Sequence, residues 1–211
     1  MTSPAQELYG SAYSLINRYV DILASDGVDR GLIGPRELNR LWERHIMNSA
    51  ALAQLIHSGS SVVDVGSGAG LPGIPLAVLR PDLMITLLEP MLRRCTFLTQ
   101  TVDALGLKAR VRVVRSRAED HHQRYGVVVA RAVAQLEKLL TWTNPLRTPG
   151  GTILALKGQT AAEEVEAAHD LIAEFKLGAE VLSIRAHPEA ELATVVVLRP
   201  ALTAGRYSGR R

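Results

Sequence analysis

V-V-D-V-G-S-G-A-G-L-P-G-I-P-L-A, residues Val62–Ala77, is the stretch that decides the fold of this chain. Its beginning, Val62 to Val65, is a short apolar run that predicts a buried strand. A loop rich in glycine, Gly66–Gly70, follows, and glycines there permit positive φ and let a ligand lie against the backbone. Pro72 and Pro75 come where a helix would begin, a position that tolerates a missing N–H. Strand, glycine loop and helix start together predict the nucleotide-binding unit of a doubly wound α/β sheet.

The rest of the chain continues this alternation of strands and helices. Beyond the first strand, apolar runs predict six more, at Met84–Glu89, Ala109–Val114, Val127–Ala130, Thr152–Leu156, Glu180–Arg185 and Leu192–Leu198. Helices are expected over Pro90–Ala104, around Leu136–Trp142 and over about Ala161–Phe175. Strands that alternate with helices favour a mainly parallel sheet, and the last two strands are close enough to pair as an antiparallel ribbon. We therefore predict an α/β fold, a doubly wound, mainly parallel seven-stranded sheet of Rossmann-like type.

Apolar residues at helical spacing fill the N-terminal part of the chain, from Ala5 to about Ser25 and again from Leu38 to Ile56. They predict an N-terminal helical cap that packs against the sheet. We divide the chain into the cap, residues 1–57, the sheet domain, residues 58–200, and a flexible basic tail, residues 201–211.

Length and composition narrow the class of protein. The 211 residues are enough for one domain with a full core. No apolar run approaches the roughly 20 residues that cross a bilayer, and the N-terminus lacks a signal-peptide pattern. The single cysteine, Cys95, excludes an internal disulfide and a cysteine-based metal site. We expect a soluble, monomeric, cytoplasmic protein with no membrane contact and no metal.

Arginines are clustered although the net charge is only +3. They crowd at Arg93-Arg94, within Lys108–Arg117 and in the tail, which suits a polyanionic partner. Aromatic residues make up 4% of the chain, which argues against an extended base-stacking platform. In the third predicted strand Arg110 and Arg112 share one face, and that face could bind RNA phosphates or protect an edge strand from aggregation. The sequence leaves both interpretations open.

The ligand crevice of a parallel sheet lies at the carboxyl ends of its strands. Asp64 extends the glycine pattern to D-x-G-x-G-x-G, a form that points to S-adenosylmethionine (SAM) rather than to a dinucleotide. We expect backbone N–H groups of Gly66–Gly70 to face the methionine part of SAM. Glu89, at the end of the second strand, can accept hydrogen bonds from both ribose hydroxyls. Arg131 ends the fourth strand, where an unpaired buried cation would be costly, so a functional or ion-paired role is favoured.

Several stretches together resemble the bacterial small-subunit rRNA methyltransferase G family, the glucose-inhibited division protein B proteins. Asp64–Ala77 is similar to the first motif of that family. Four further stretches agree in the same order, Arg44-His45-Ile46 with Asn48-Ser49, Leu87-Leu88-Glu89, Arg131-Ala132-Val133-Ala134 and Ala155-Leu156-Lys157-Gly158. The resemblance extends from about Leu38 to Leu198, most of the chain.

The resemblance implies an enzyme that transfers a methyl group from SAM to N7 of one guanine in 16S rRNA, in a loop near the decoding centre of the small ribosomal subunit. It implies a cofactor site at Asp64, Gly66, Ser67, Gly68, Gly70, Leu71, Glu89, Ala118, Glu119 and Arg131. It further implies that Arg131, His45 and Lys157 act at the reaction centre. Family members often carry an asparagine where this chain has Gly31, which weakens the expectations on the substrate side.

Plainer interpretations remain open for single residues. Glu89 could be a solvated charge, His45 a packing residue, and Lys157-Gly158 a simple turn. Two other classes of protein also remain: an NAD-dependent oxidoreductase, which would use a similar glycine loop and strand-end acid, and a non-catalytic rRNA-binding factor.

Overall fold

Buried apolar runs form the strands of one seven-stranded sheet. The computed structural model describes residues 2–201, so the predicted tail lies almost entirely outside the described residues. The strands are β1 (Ser61–Val65), β2 (Met84–Leu88), β3 (Val111–Val114), β4 (Tyr125–Arg131), β5 (Arg147–Lys157), β6 (Leu177–Ile184) and β7 (Ala193–Pro200). Each contains the core of a run that the sequence predicts as a strand, and the predicted fold class is confirmed.

Helices surround the sheet on both faces. The α-helices are α1 (Pro4–Tyr9), α2 (Tyr13–Ile22), α3 (Asn48–Ala51), α4 (Gly73–Leu79), α5 (Leu92–Ala104), α6 (Leu136–Thr143), α7 (Ala161–Ala167) and α8 (His169–Glu174). Pro72 caps α4 and Pro75 lies in its first turn, as the sequence predicts.

The strand order brings together the chain segments that follow β1, β2 and β4, at the carboxyl ends of these strands. The order is β3-β2-β1-β4-β5-β7-β6, with β7 antiparallel to both of its neighbours. In the parallel register Val65 is aligned with Leu88 of β2 and Ala130 of β4. The sheet order reverses between β1 and β4, so the residues that follow, among them Gly66 and Glu89, meet at the switch point where α/β sheets bind ligands.

The N-terminal helices pack on the sheet as part of its core. Ile16, Leu23 and Leu52 are fully buried in the same apolar cluster as Ile85 of β2. The Tyr19 hydroxyl, also buried, donates a hydrogen bond to the Ala69 carbonyl at 2.9 Å. The cap is thus joined directly to the glycine loop.

Two helical regions differ from the sequence expectation. Much of the cap is not regular α-helix, since Leu23–Gly27 and Leu41–Met47 are π-helical and Pro35–Arg40 is a 3₁₀-helix. Side chains compete for backbone carbonyls here, as when Ser49 Oγ donates to the His45 carbonyl at 2.6 Å. The predicted helix Ala161–Phe175 bends at Ala168, which turns Ala168 and Ile172 into one apolar cluster. No helix within residues 2–201 is long and apolar enough to cross a membrane.

Candidate functional site

Left-handed backbone shapes the loop after β1. Gly66, Gly68 and Gly70 have φ of 69°, 58° and 99°, a region that favours glycine. A Cβ on Gly70 would lie 2.4 Å from Ile74 Cδ1, and one on Gly66 would lie 3.1 Å from Val133 Cγ2. Conformation therefore favours glycine at all three positions, and space also requires it at Gly70, whereas a Cβ on Gly66 would press against Val133.

Most N–H groups of this loop are engaged within the protein. Gly66 and Ser67 donate to the Leu88 carbonyl at 2.8 and 3.2 Å, Gly68 donates to Glu89 Oε2 at 3.0 Å, and Gly70 and Leu71 donate to the Ser67 carbonyl. The expectation that these N–H groups face the methionine part of SAM is wrong, because the loop folds back onto β2 and onto itself. The loop offers a ligand close backbone approach instead.

Asp64 supports the glycine loop from its buried side. Its side chain is fully buried, and Oδ2 accepts a hydrogen bond from the Gly73 N–H at 3.0 Å. Oδ1 has no hydrogen-bond partner among the described residues. Burial, partly offset by the Gly73 hydrogen bond, raises the pKa of Asp64 to about 7. Asp64 and Gly70 brace the loop, whereas Gly66, Ser67, Gly68 and Leu71 line cavities beside it.

Glu89 directly follows β2, and it is only 1% exposed. Oε2 accepts from the Gly68 N–H and Oε1 from the Met91 N–H, both at 3.0 Å. The Cys95 thiol donates to the Glu89 carbonyl at 2.9 Å. Two backbone donors thus hold the carboxylate and fix its orientation.

A cavity of about 620 Å³ lies beyond Glu89, between the ends of β2 and β3; we call it the β2–β3 cavity. Predicted residues Gly66, Glu89, Ala118 and Glu119 line it, and Val133 and Trp142 add apolar surface. The loop after β3 carries Ala118, which is half-buried, and Glu119, which is exposed. The structure thus brings these four predicted residues to one cavity.

Next to it lies a smaller cavity of about 240 Å³, the loop cavity. The glycine loop forms one wall, with Gly66, Ser67, Gly68 and Leu71. The opposite walls come from the cap, from α5 and from the end of β4 with the residue after it; their residues are Leu32, Ile33, His45, Arg94, Arg131 and Ala132.

A third cavity of about 570 Å³, the β4–β5 cavity, opens on the other side of Arg131. Arg44 and Asn48 of the cap, Gln135 and Lys157 line it. Ala132 lines all three cavities and has φ of 52°, unusual for a residue with a Cβ. The three cavities therefore meet at the chain segment that follows β4.

Arg131 lies where the loop cavity and the β4–β5 cavity adjoin. Its guanidinium donates to His45 Nδ1 and, at 3.5 Å, to the His45 carbonyl. Burial and then the Arg131 charge lower the pKa of His45, which favours the neutral imidazole. Burial also lowers the pKa of Arg131, although an arginine remains protonated at neutral pH. His45 and Arg131, each expected at the reaction centre, are thus in direct contact.

Lys157 lines the β4–β5 cavity, but its ammonium group is engaged within the protein. It donates to the Ala134 carbonyl and to Glu164 Oε2, both at 2.6 Å. The same Glu164 oxygen accepts from the Leu136 N–H at 2.8 Å. Lys157 and Glu164 therefore hold the segment after β4 in place from its far end.

Some residues of the site escape sequence reasoning. Arg94 lines both the β2–β3 and loop cavities, its Nη1 lies 3.7 Å from Glu89 Oε2, and its buried Nε has no hydrogen-bond partner among residues 2–201. Glu37 bonds to His45, and Glu164 to Lys157. The only available signal is that Arg94 follows Glu89 by five residues, which brings the first turn of α5 back to the strand end. No periodic pattern in the sequence indicates Glu37 or Glu164 as residues of the site.

Comparison with known proteins agrees with this geometry. The sequence profile described as rRNA small subunit methyltransferase G matches residues 12–193. The protein named ribosomal RNA small subunit methyltransferase G of Streptomyces coelicolor is 55% identical over 183 residues, which are 85% of this chain and 75% of that protein. The protein of the same name from Mycolicibacterium gilvum is 52% identical over 167 residues, 77% of this chain and 73% of that protein.

Solved structures with the same fold are much more distant in sequence. The O-methyltransferase from Bacillus cereus in complex with SAH aligns with a TM-score of 0.60 at 14% identity, over 88% of this chain and 90% of that one. Pyrococcus horikoshii TYW2 in complex with MeSAdo aligns with a TM-score of 0.56 at 15% identity, over 72% of this chain and 61% of that one. These two likenesses show the fold alone. The profile match and the identity to the curated relatives show more: the chain is a methyltransferase that belongs to the rRNA small subunit methyltransferase G family.

Proposed function

We propose that this protein transfers a methyl group from SAM to N7 of a guanine in 16S rRNA of the small ribosomal subunit. One observation carries the proposal: the β2–β3 cavity, the loop cavity and the β4–β5 cavity meet at Ala132. A ligand that fills the first two therefore ends beside the third, where a base can enter. The names of the curated relatives supply the kind of substrate.

The residues present fit SAM. A carboxylate offers about four lone-pair sites, and the Gly68 and Met91 N–H groups occupy two of those on Glu89, which leaves two for the ribose hydroxyls. Val133 and Trp142 provide the apolar walls that an adenine ring needs. Arg94, with a buried Nε that has no partner among the described residues, can receive the methionine carboxylate.

Methyl transfer from SAM to guanine N7 requires that the two reactants be oriented, and it requires no proton transfer beforehand. When bound, SAM supplies a methyl group on a cationic sulfur, and guanine N7 is a ring lone pair that loses no proton on methylation. The protein then has to align the two reactants, which can contribute a large part of the rate enhancement. Arg131 is permanently charged, and Lys157 is held by Ala134 and Glu164, so neither is suited to act as a base. His45 and Arg131 instead form the wall between cofactor and base.

The β4–β5 cavity suits a guanine base. Arg44, Asn48 and Gln135 bring donors to its walls, where guanine O6 can accept a hydrogen bond while the N7 lone pair stays free to attack the methyl group. We further propose that the enzyme acts as a monomer. We place its activity in the cytoplasm, where ribosomal RNA is assembled.

Calorimetry and a transfer assay test the proposal. Titration with S-adenosylhomocysteine should give saturable binding, and titration with NAD should give none. Labelled SAM should then deliver label to 16S rRNA, offered either as naked transcript or as small subunits stripped of the modification. Binding of NAD alone would support the oxidoreductase instead. Binding of rRNA without any transfer of label would support a non-catalytic binding factor.

A further inference from the structure

We propose that Glu37 and His45 are positioning residues that orient the Arg131 guanidinium from the helical cap. Together they form a chain of hydrogen bonds, Glu37–His45–Arg131, which we call the Arg131 network. The proposal rests on the function proposed above and assigns a role in it to the cap.

The bonds of this network fix the tautomer of His45. Because Arg131 donates to Nδ1, that nitrogen must be unprotonated, and Nε2 then carries the proton of the neutral ring. Nε2 lies 2.8 Å from Glu37 Oε2, so the ring donates there. The carboxylate of Glu37 thus favours the one tautomer that can accept from Arg131. His45 itself is 7% exposed and has little freedom to turn.

Backbone geometry in the cap contributes to the same end. His45 lies in the π-helical turn Leu41–Met47, and such turns are often found at functional sites. Its carbonyl accepts hydrogen bonds from Ser49 Oγ and from Arg131 Nη1. Arg131 is therefore held by two groups of a single cap residue, one on the ring and one on the backbone.

Burial, together with the neighbouring Arg131 charge, keeps the ring neutral at working pH. The groups that face His45 are Arg131 from the end of β4, Glu37 from the 3₁₀-helix and Arg44 from its own turn. Burial and Arg131 lower the pKa of His45, and Arg44 adds to this, whereas Glu37 acts in the opposite direction. Protonation would put an N–H on Nδ1, opposite the Arg131 N–H groups, and break the network. The rate of single-turnover methyl transfer should therefore fall at acid pH, below the ordinary histidine pKa of about 6.5. We call this fall in the plot of rate against pH the acid limb.

Replacing Glu37 tests the network through the position of that limb. Glu37→Gln can still accept the Nε2 proton but removes the charge that favours imidazolium, so the limb should move to lower pH. Glu37→Ala removes the acceptor and should lower the rate at pH 7.5 about fivefold to tenfold, the loss expected for one hydrogen bond. Glu43→Gln, an exposed acid in the same segment, is the matched control and should leave both limb and rate unchanged.

Nitrogen-15 NMR of histidine-labelled protein gives a readout that does not depend on activity. In the wild type at pH 7.5, the His45 ring should be protonated at Nε2 and unprotonated at Nδ1. A His45→Asn variant identifies the signals by their loss. A ring protonated at Nδ1, or an acid limb that stays in place in Glu37→Gln, would overturn the proposal. Absence of methyl transfer in the wild type would refute the proposed function, while the NMR result would still decide whether the network exists.

Discussion

Glu89 occupies the most constrained position for a single side chain in the cofactor site. Both of its oxygens already accept backbone N–H groups, so the carboxylate must retain two further lone-pair sites to bind a ribose. Glu89→Gln keeps the size of the side chain but turns one oxygen into a donor. That amide would face one of the two N–H groups, and the charge-assisted bonds to the ligand would be lost.

We predict that Glu89→Gln weakens S-adenosylhomocysteine binding about tenfold or more, since hydrogen bonds to a charged group contribute about 1.5–3 kcal/mol. Calorimetry measures this change. The control is Asp120→Asn, which removes an exposed charge from the loop after β3. An affinity within twofold of the wild type would show that Glu89 is only a structural acid.

Asp64 makes stability depend on pH in an unusual direction. Its pKa rises from about 3.8 unfolded to about 7 folded, so the folded state holds an extra proton between these values. The free energy of unfolding must therefore fall as pH rises towards and through 7, at up to about 1.4 kcal/mol per pH unit. Asp64→Asn cannot titrate, so its unfolding free energy relative to the wild type should increase from pH 5 to pH 8. Denaturant unfolding at both pH values measures this, and a difference that is independent of pH would contradict it.

Residue roles could be predicted from the sequence only where position along a strand decides them. Glu89 and Arg131 follow apolar runs, so their places at the crevice could be inferred before any contact was known. Their partners could not, because Arg131 and His45 are 86 residues apart in the chain. The direction of the loop N–H groups also escaped prediction, since it depends on the Leu88 carbonyl of a neighbouring strand.

At the scale of elements, the segment between β4 and α6 is held at both ends. Arg131 fixes its start, and Lys157 with Glu164 fixes Ala134 and Leu136. The side chains of Lys157 and Glu164 are only 8% and 18% exposed. Between these anchors lies Ala132, with its positive φ. The anchors stabilise a backbone conformation that the segment would rarely adopt alone.

We predict that Lys157 acts through this segment together with Glu164. Lys157→Met and Glu164→Gln should each lower the transfer rate and the unfolding free energy, the latter by about 1.5–3 kcal/mol as for bonds to charged groups. The double variant should be less impaired than the sum of the two, because both changes remove one interaction. Additive effects would instead mean that Lys157 contacts the substrate independently of Glu164.

Element boundaries were predictable where apolar runs are buried on both faces. The predicted runs at β1, β4 and β5 fall within the observed strands, and those at β2 and β7 each extend one residue beyond one end of the strand. The type of helix in the cap was less predictable, because π-helical and 3₁₀ turns keep nearly the same apolar spacing as an α-helix. Side chains such as Ser49 also donate hydrogen bonds to backbone carbonyls there, which the spacing does not reveal.

At the scale of the whole molecule, the structure separates two groups of arginines. Arg112 lines a cavity with Ser61 and Met84, the first residues of β1 and β2, and so lies towards the end of the sheet away from the crevice. Arg110 is half-buried and donates to the Ala77 carbonyl, which gives it a structural role. The expectation that both arginines share one face of β3 is wrong, because the strand begins at Val111 and leaves Arg110 outside it; β3 is an edge strand, so the protective interpretation suits Arg112. Arg36 and Arg40, by contrast, are exposed next to Glu37 and the Arg131 network.

We predict that Arg36 and Arg40 contact RNA phosphates. Replacing either with Gln should reduce the slope of log affinity against log salt by roughly 0.7–0.9 for each phosphate that is no longer neutralised. Filter binding of 16S rRNA over a range of salt concentrations measures the slope, with Arg112→Gln as the control of equal charge. Equal slopes for all three variants and the wild type would place the RNA surface elsewhere.

The position of the methyl group on the product tests the central claim most directly. The protein is incubated with SAM and unmodified 16S rRNA, and the RNA is then treated with borohydride and aniline, which cleave the chain at N7-methylguanine. We predict cleavage at one guanine, dependent on both SAM and enzyme, and weaker cleavage by Glu89→Gln when SAM only half-saturates the wild type. Incorporation of methyl groups without cleavage at any guanine would contradict methylation at N7.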